Sequence, residues 1–135
     1  MPVLQDILVG IRSDVDIVLA RQQGRAMAAS IGFSATDATL IATAISELAR
    51  NIVTYARHGE VMMRGEETTH TKGIVIIARD SGPGIRNIHD VLRDGYSTSG
   101  GLGLGLPGVR RLMDEFVIES ELQQGTTVTV KKWLK

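Results

Sequence analysis

The glycines of this chain are not spread evenly: they crowd between Gly82 and Gly108, where glycine steps alternate with leucine and run straight into an amphipathic segment. Glycine accepts backbone conformations and close approaches that other residues do not, so a local cluster marks backbone shaped around a ligand rather than general looseness. A flexible linker would not carry Leu102, Leu104 and Leu106 between its glycines, nor pass at once into a helix. Any fold for this chain has to present that loop-to-helix junction usefully.

The segments on either side fix the fold class. Ile7, Val9 and Ile11 alternate, which predicts a strand over 4–11. Val15, Val18, Leu19, Gln22, Ala26 and Ala29 follow helical spacing to about Ser30, with Ser13 and Asp16 as a capping pair. Gly24 lowers the propensity of that helix by ~1 kcal/mol relative to Ala, and close packing against a neighbour is the expected compensation. Ser34 and Asp37 open a second helix running to about Tyr55, with Ile41, Ile45, Leu48 and Ile52 as its core stripe. Residues 60–64 and 73–79 read as strands around a polar turn, Glu66–Lys72. The second of these is apolar on both faces at its start, which predicts a central place in the sheet. After the glycine region, with a short helical piece at 87–93, a helix is expected from about Leu104 to Glu115. Strands Phe116–Leu122 and Thr126–Trp133 follow, joined at Gln124-Gly125. Strands in hairpins and helices in their own runs imply an α+β, two-layer sandwich: a mixed, mainly antiparallel sheet covered by helices on one face.

The length, 135 residues, suits one domain spanning 1–135. Apolar residues are 43% of the chain, a globular proportion. The absence of cysteine removes disulfides and thiolate chemistry and suits a reducing, cytoplasmic setting. Zero formal net charge gives no general attraction to nucleic acid or to an acidic membrane. No apolar stretch approaches the ~20 residues that span a bilayer, and the first residues lack the pattern of a signal peptide.

Three segments carry the chemistry. In Glu47-Leu-Ala-Arg-Asn51, the carboxylate and the amide are four residues apart and share a helix face bordering the apolar stripe. A solvated face with one Glu and one Asn is the bland alternative. In Asp80-Ser-Gly-Pro-Gly84, an aspartate ends an apolar strand on the face of Ile74, Ile76 and Ala78. A carboxylate there needs a donor, which the exocyclic amine of adenine would supply, with Gly82 and Gly84 letting backbone approach a flat base. The alternative is an ordinary turn. In Ser97-Thr-Ser-Gly-Gly-Leu-Gly-Leu-Gly-Leu-Pro-Gly108, five glycines and three hydroxyls lead into a helix whose first amides can bind phosphate. Gly103-x-Gly105-x-x-Gly108 matches a dinucleotide fingerprint by letter, yet no strand precedes it and too little chain follows for such a domain. No Lys-Ser/Thr follows the glycines, so the P-loop pattern also fails.

The order of these segments resembles the GHKL (Bergerat-fold) superfamily of ATPases and kinases. Glu47 and Asn51 are similar to its N box, Asp80 to Gly84 to its G1 box, and Gly101-Leu-Gly103-Leu-Gly105 to its G2 box. Gly125-Thr126-Thr127 is similar to the Gly-Thr element before its final strand. The runs Ala44–Asn51, Gly95–Gly103 and Leu106–Phe116 resemble, within that superfamily, the switch serine/threonine kinases of the bacterial stressosome.

The resemblance implies an ATP- and Mg²⁺-dependent kinase acting on STAS-domain scaffold or antagonist proteins, which on release activates a PP2C-type phosphatase. The other role it allows is an ATP-binding anti-sigma or partner-switching module acting by sequestration. It implies Glu47 as general base or orienting group, Asn51 on Mg²⁺, Asp80 on the adenine amine, and Gly82 and Gly84 around the base. Ser97, Thr98, Ser99, Gly100, Gly101, Leu102, Gly103, Leu104 and Gly105 would line the phosphates, and Thr127 the nucleotide. One departure stands out: where some relatives place a basic residue before the G2 glycines, this chain has Ser99 and Gly100, and Arg93 is the nearest substitute. No separate phosphoacceptor helices accompany His58, His70 or His89, so a histidine kinase is not expected.

Overall fold

A computed structural model describes residues 6–83 and 105–135. The elements follow in the order β1 (Ile7–Ile11), α1 (Asp14–Ile31), α2 (Ala35–Asn51), β2 (Gly59–Glu67), β3 (Lys72–Asp80), α3 (Gly105–Leu112), β4 (Glu115–Glu121) and β5 (Gly125–Trp133). A single π-helical turn, Ile52–Ala56, prolongs α2. The sheet order is β1-β2-β3-β5-β4, and all four pairings are antiparallel. The α+β sandwich is as expected, and β3, apolar on both faces, lies at its centre.

Strand alternation supplies one layer of the core. Val61 and Met63 of β2, Ile74, Ile76 and Ala78 of β3, and Val128 and Val130 of β5 are buried on the inward face. They meet Ile41, Ile45 and Leu48 of α2, Met27 and Ala28 of α1, and Leu106 and Val109 of α3 in one cluster. Gly24 lies close against side chains of α2 and β2. A Cβ there would overlap Ile45 Cδ1 and come within 3.2 Å of Met63 Sδ, so a larger residue would force Ile45 or the helix to shift.

Several boundaries differ from the sequence expectations. The buried stripe of α1 is Ile17, Ala20, Gly24 and Met27, while Val15, Val18 and Leu19 are 75%, 40% and 41% exposed. Both stripes have helical period, and the one rich in small residues wins because it permits close helix contact. The strands β2 and β3 run on to Glu67 and from Lys72, leaving a four-residue turn closed by Thr68 N donating to Thr71 O at 2.8 Å. The helix α3 stops at Leu112, since Asp114 N already donates to Lys131 O in the sheet at 2.9 Å. At the start of α2, Asp37 N donates to Ser34 Oγ at 3.1 Å, the predicted cap. At the start of α1 the Ser13 side chain makes no cap; Asp16 Oδ2 instead accepts from Arg12 N at 2.9 Å.

Candidate active site

The helix α2 carries its polar pair inward. Glu47 is 3% exposed, the one buried charged residue among those described. It is not without a partner. A solvated helix face is therefore excluded for this carboxylate, since burial of a charge is tolerated only when it is met. One turn on, Asn51 ends α2. Its Oδ1 is buried and has no hydrogen-bond partner among the described residues. Buried polar atoms in native proteins are nearly always satisfied, and an orphan at a helix end calls for a functional explanation.

The π-helical turn begins at the next residue, and nothing in the sequence signalled it. Such turns are uncommon and frequently sit at functional sites. It ends at Arg57, whose φ of 72° is a left-handed conformation that a side chain of this size seldom adopts. The turn sets Ile52 and Ala56 against the end of β3. A Cβ on Gly59 would lie 2.9 Å from Ile52 Cγ2 and 3.0 Å from Asp80 Cβ. A Cβ on Gly82 would lie 2.5 Å from Ala56 Cβ. The end of α2 and the end of β3 are thus locked side by side through two glycines. Gly82 makes a close approach to Ala56.

Asp80 closes β3 and is held rigidly. Its Oδ1 accepts from Gly82 N at 2.9 Å and from Thr126 N at 3.3 Å. A third glycine completes the surround: Gly125 has φ of 113°, and a Cβ there would overlap Asp80 O. Gly59 carries no motif signal, because its role depends on pairing with a strand end distant in sequence. The register also moves one residue. Thr126 is the partner of Asp80 across β3 and β5, whereas Thr127 is the partner of Arg79. Partners in a sheet share a face, so Thr126 lies beside Asp80 and Thr127 lies on the opposite face. There Arg79 Nε meets Glu60 Oε1 at 3.5 Å. Thr126 is further fixed by Ser120 Oγ at 2.9 Å.

Gly105, with φ of 67°, opens α3 and is buried. Pro107 in the first turn removes no needed donor, since the first amides of a helix have no intrahelical acceptor. The helix α3 packs against α2. Gly84, Ser97, Thr98, Ser99, Gly100, Gly101, Leu102, Gly103 and Leu104 lie outside the described residues, as do Arg93 and the expected helical piece at 87–93.

The donor set suits a magnesium–nucleotide complex. Among the described residues no group of three or more His, Cys, Asp or Glu side chains could hold a metal ion alone. Mg²⁺ keeps several waters and takes only one or two protein oxygens beside substrate phosphates. One orphaned amide oxygen at Asn51 fits that demand.

Known proteins share this sequence and fold. Residues 13–132 match the model of the histidine kinase-like ATPase domain. Serine/threonine-protein kinase RsbT of Bacillus subtilis is 52% identical over 127 residues, covering 94% of this chain and 96% of that protein. Anti-sigma F factor of Priestia megaterium is 32% identical over 104 residues, covering 73% of this chain and 71% of its own. In shape, the mycobacterial sensor histidine kinase MprB overlays with a TM-score of 0.56 at 14% identity, covering 96% of each chain. No helix among the described residues is long and apolar enough to cross a membrane. The chain belongs to the histidine kinase-like ATPase family, on its serine/threonine-protein-kinase branch.

Proposed function

We propose that this protein transfers the terminal phosphoryl group of Mg·ATP to a serine or threonine hydroxyl of a STAS-domain scaffold or antagonist protein, in a cytoplasmic partner-switching pathway. On release from that partner it binds and activates a PP2C-type phosphatase. The observation that carries the phosphotransfer reading is the buried Oδ1 of Asn51, without a partner among the described residues, one helical turn from the buried Glu47 carboxylate.

Each residue has a task that its surroundings permit. Asp80 accepts the adenine amine with the carboxylate oxygen that Gly82 and Thr126 leave open, and those two amides keep it oriented. Asn51 Oδ1 binds the metal. Bound Mg²⁺ would supply charge neutralisation across the phosphates, which is most of what phosphoryl transfer needs. The first-turn amides of α3 face the phosphate oxygens. Glu47 takes the proton of the acceptor hydroxyl, or orients that hydroxyl, as its oxygen bonds to the terminal phosphorus and the bond to ADP breaks. Gly84 and residues 97–104 complete the nucleotide contacts, and Thr126 takes the place first assigned to Thr127.

Incubation with labelled ATP and a STAS-domain partner tests the proposal. Label on a partner Ser or Thr, lost in Asn51→Ala, is the expected result. Binding of nucleotide and partner without transfer would give the role to sequestration instead, the activity that similarity to the anti-sigma F factors favours.

A further inference from the structure

Lys132 occupies a position that strand alternation would give to an apolar side chain. Its partner across β3 and β5 is the fully buried Ile74, on the face that carries Ile76 and Val130 towards the helices. An ammonium directed to the core side is unfavourable unless its charge is met. Here Nζ donates to Leu112 O at 2.8 Å. Leu112 is the last residue of α3, and its carbonyl belongs to the unpaired, partly negative end of that helix.

Two further bonds fix the chain just beyond. Asp114 N donates to Lys131 O at 2.9 Å, and Trp133 N donates to Asp114 Oδ2 at 2.8 Å. Both hold the connection into β4. Lys132 alone, among the described residues, grips a carbonyl of the helix itself from β5. The helix has eight residues. At 1.5 Å per residue it is a bar of about 12 Å, short enough for a shift at one end to appear at the other.

We propose that Lys132 is a positioning residue for phosphoryl transfer. By holding the C-terminus of α3 it sets where Gly105 and Leu106 present their amides to the phosphates. The inference rests on the reading that the first turn of α3 meets the phosphates, and it predicts a separation between the two ends of the nucleotide. Adenosine engages Asp80 and carries no phosphate, so its binding does not depend on the placement of α3.

Lys132→Met keeps the length of the side chain and removes the donor. In the folded variant, calorimetry should show Mg·ATP weakened by about tenfold and adenosine changed by less than about twofold, the scale of one misaligned hydrogen bond. Lys132→Arg keeps a charged donor and should recover most of the ATP affinity. A residue that only stabilised the fold would lower the melting temperature and leave the ratio of the two affinities unchanged. Wild-type affinity for Mg·ATP in Lys132→Met, or an equal loss for adenosine, overturns the proposal. Should Lys132→Met not fold, Lys132→Gln reads the same ratio. Wild-type protein that takes up adenosine and no Mg·ATP overturns the phosphate reading itself, a failure distinct from that of Lys132.

Discussion

The two ends brought together at this site are prepared in opposite ways. At the end of β3, Asp80 is already anchored: two backbone amides bind Oδ1, and Gly59, Gly82 and Gly125 press around it. At the end of α2, Asn51 is left incomplete, with a buried oxygen that no described residue meets. The rigid end suits recognition of a flat, neutral base, where preorganisation keeps the binding entropy low. The incomplete end suits a hydrated cation that brings its own remaining ligands. Stability is concentrated at the first and withheld at the second, as expected where function conflicts with a satisfied interior.

That contrast can be broken by substitution. The largest effect is expected at the incomplete end: Asn51→Ala should lower the phosphotransfer rate by about 10²–10³-fold, as removal of one preorganised group for developing charge does elsewhere. Single-turnover transfer measures it, and unchanged rates would take Asn51 out of the mechanism. Next is Asp80→Ala, which removes an acceptor for the base amine and should weaken nucleotide binding by ~1.5–3 kcal/mol while the fold persists. Equal affinity in variant and wild type would leave Asp80 as a turn residue only. Gly24→Ala sharpens the comparison from outside the site. Overlap with Ile45 Cδ1 should lower stability by ~1–3 kcal/mol in denaturant unfolding, with the nucleotide affinity of the folded protein unchanged. The smallest effect is the most diagnostic. Asn51→Leu removes an unsatisfied buried oxygen and should raise stability by up to ~1 kcal/mol while transfer is lost. A clear loss of stability in that variant would show that the Asn51 oxygen is already satisfied in the free protein.

The sequence made the layout legible where patterns were local. The stripe Ile41, Ile45, Leu48 and Ile52 is fully buried, and the two-faced apolar start of β3 does mark the centre of the sheet. The predicted close contact at Gly24 is present, against Ile45 and Met63. What escaped was decided by partners far away in the chain. Periodicity could not choose between two equivalent stripes on α1, because the choice rests on how small residues fit against α2. Whether Thr126 or Thr127 stands beside Asp80 is a matter of register, and a one-residue step moves a side chain to the other face. The π-helical turn after Asn51 has no signature in Ile52-Val-Thr-Tyr-Ala56. It follows from joining α2 to a strand that must begin against Asp80. The depth of Glu47 was also hidden, since a carboxylate bordering an apolar stripe reads the same whether tertiary packing covers it or not, and here it is 3% exposed.

Titration calorimetry of folded protein with ATP, in the presence and absence of Mg²⁺, reaches the claim on which the rest depends. One saturable nucleotide per chain is expected, with a large Mg²⁺-dependent share of the affinity that disappears in Asn51→Ala and survives in Gly24→Ala. Absence of saturable uptake, or a Mg²⁺ dependence that Asn51→Ala leaves intact, would contradict the assignment of Glu47, Asn51 and Asp80 to one nucleotide site.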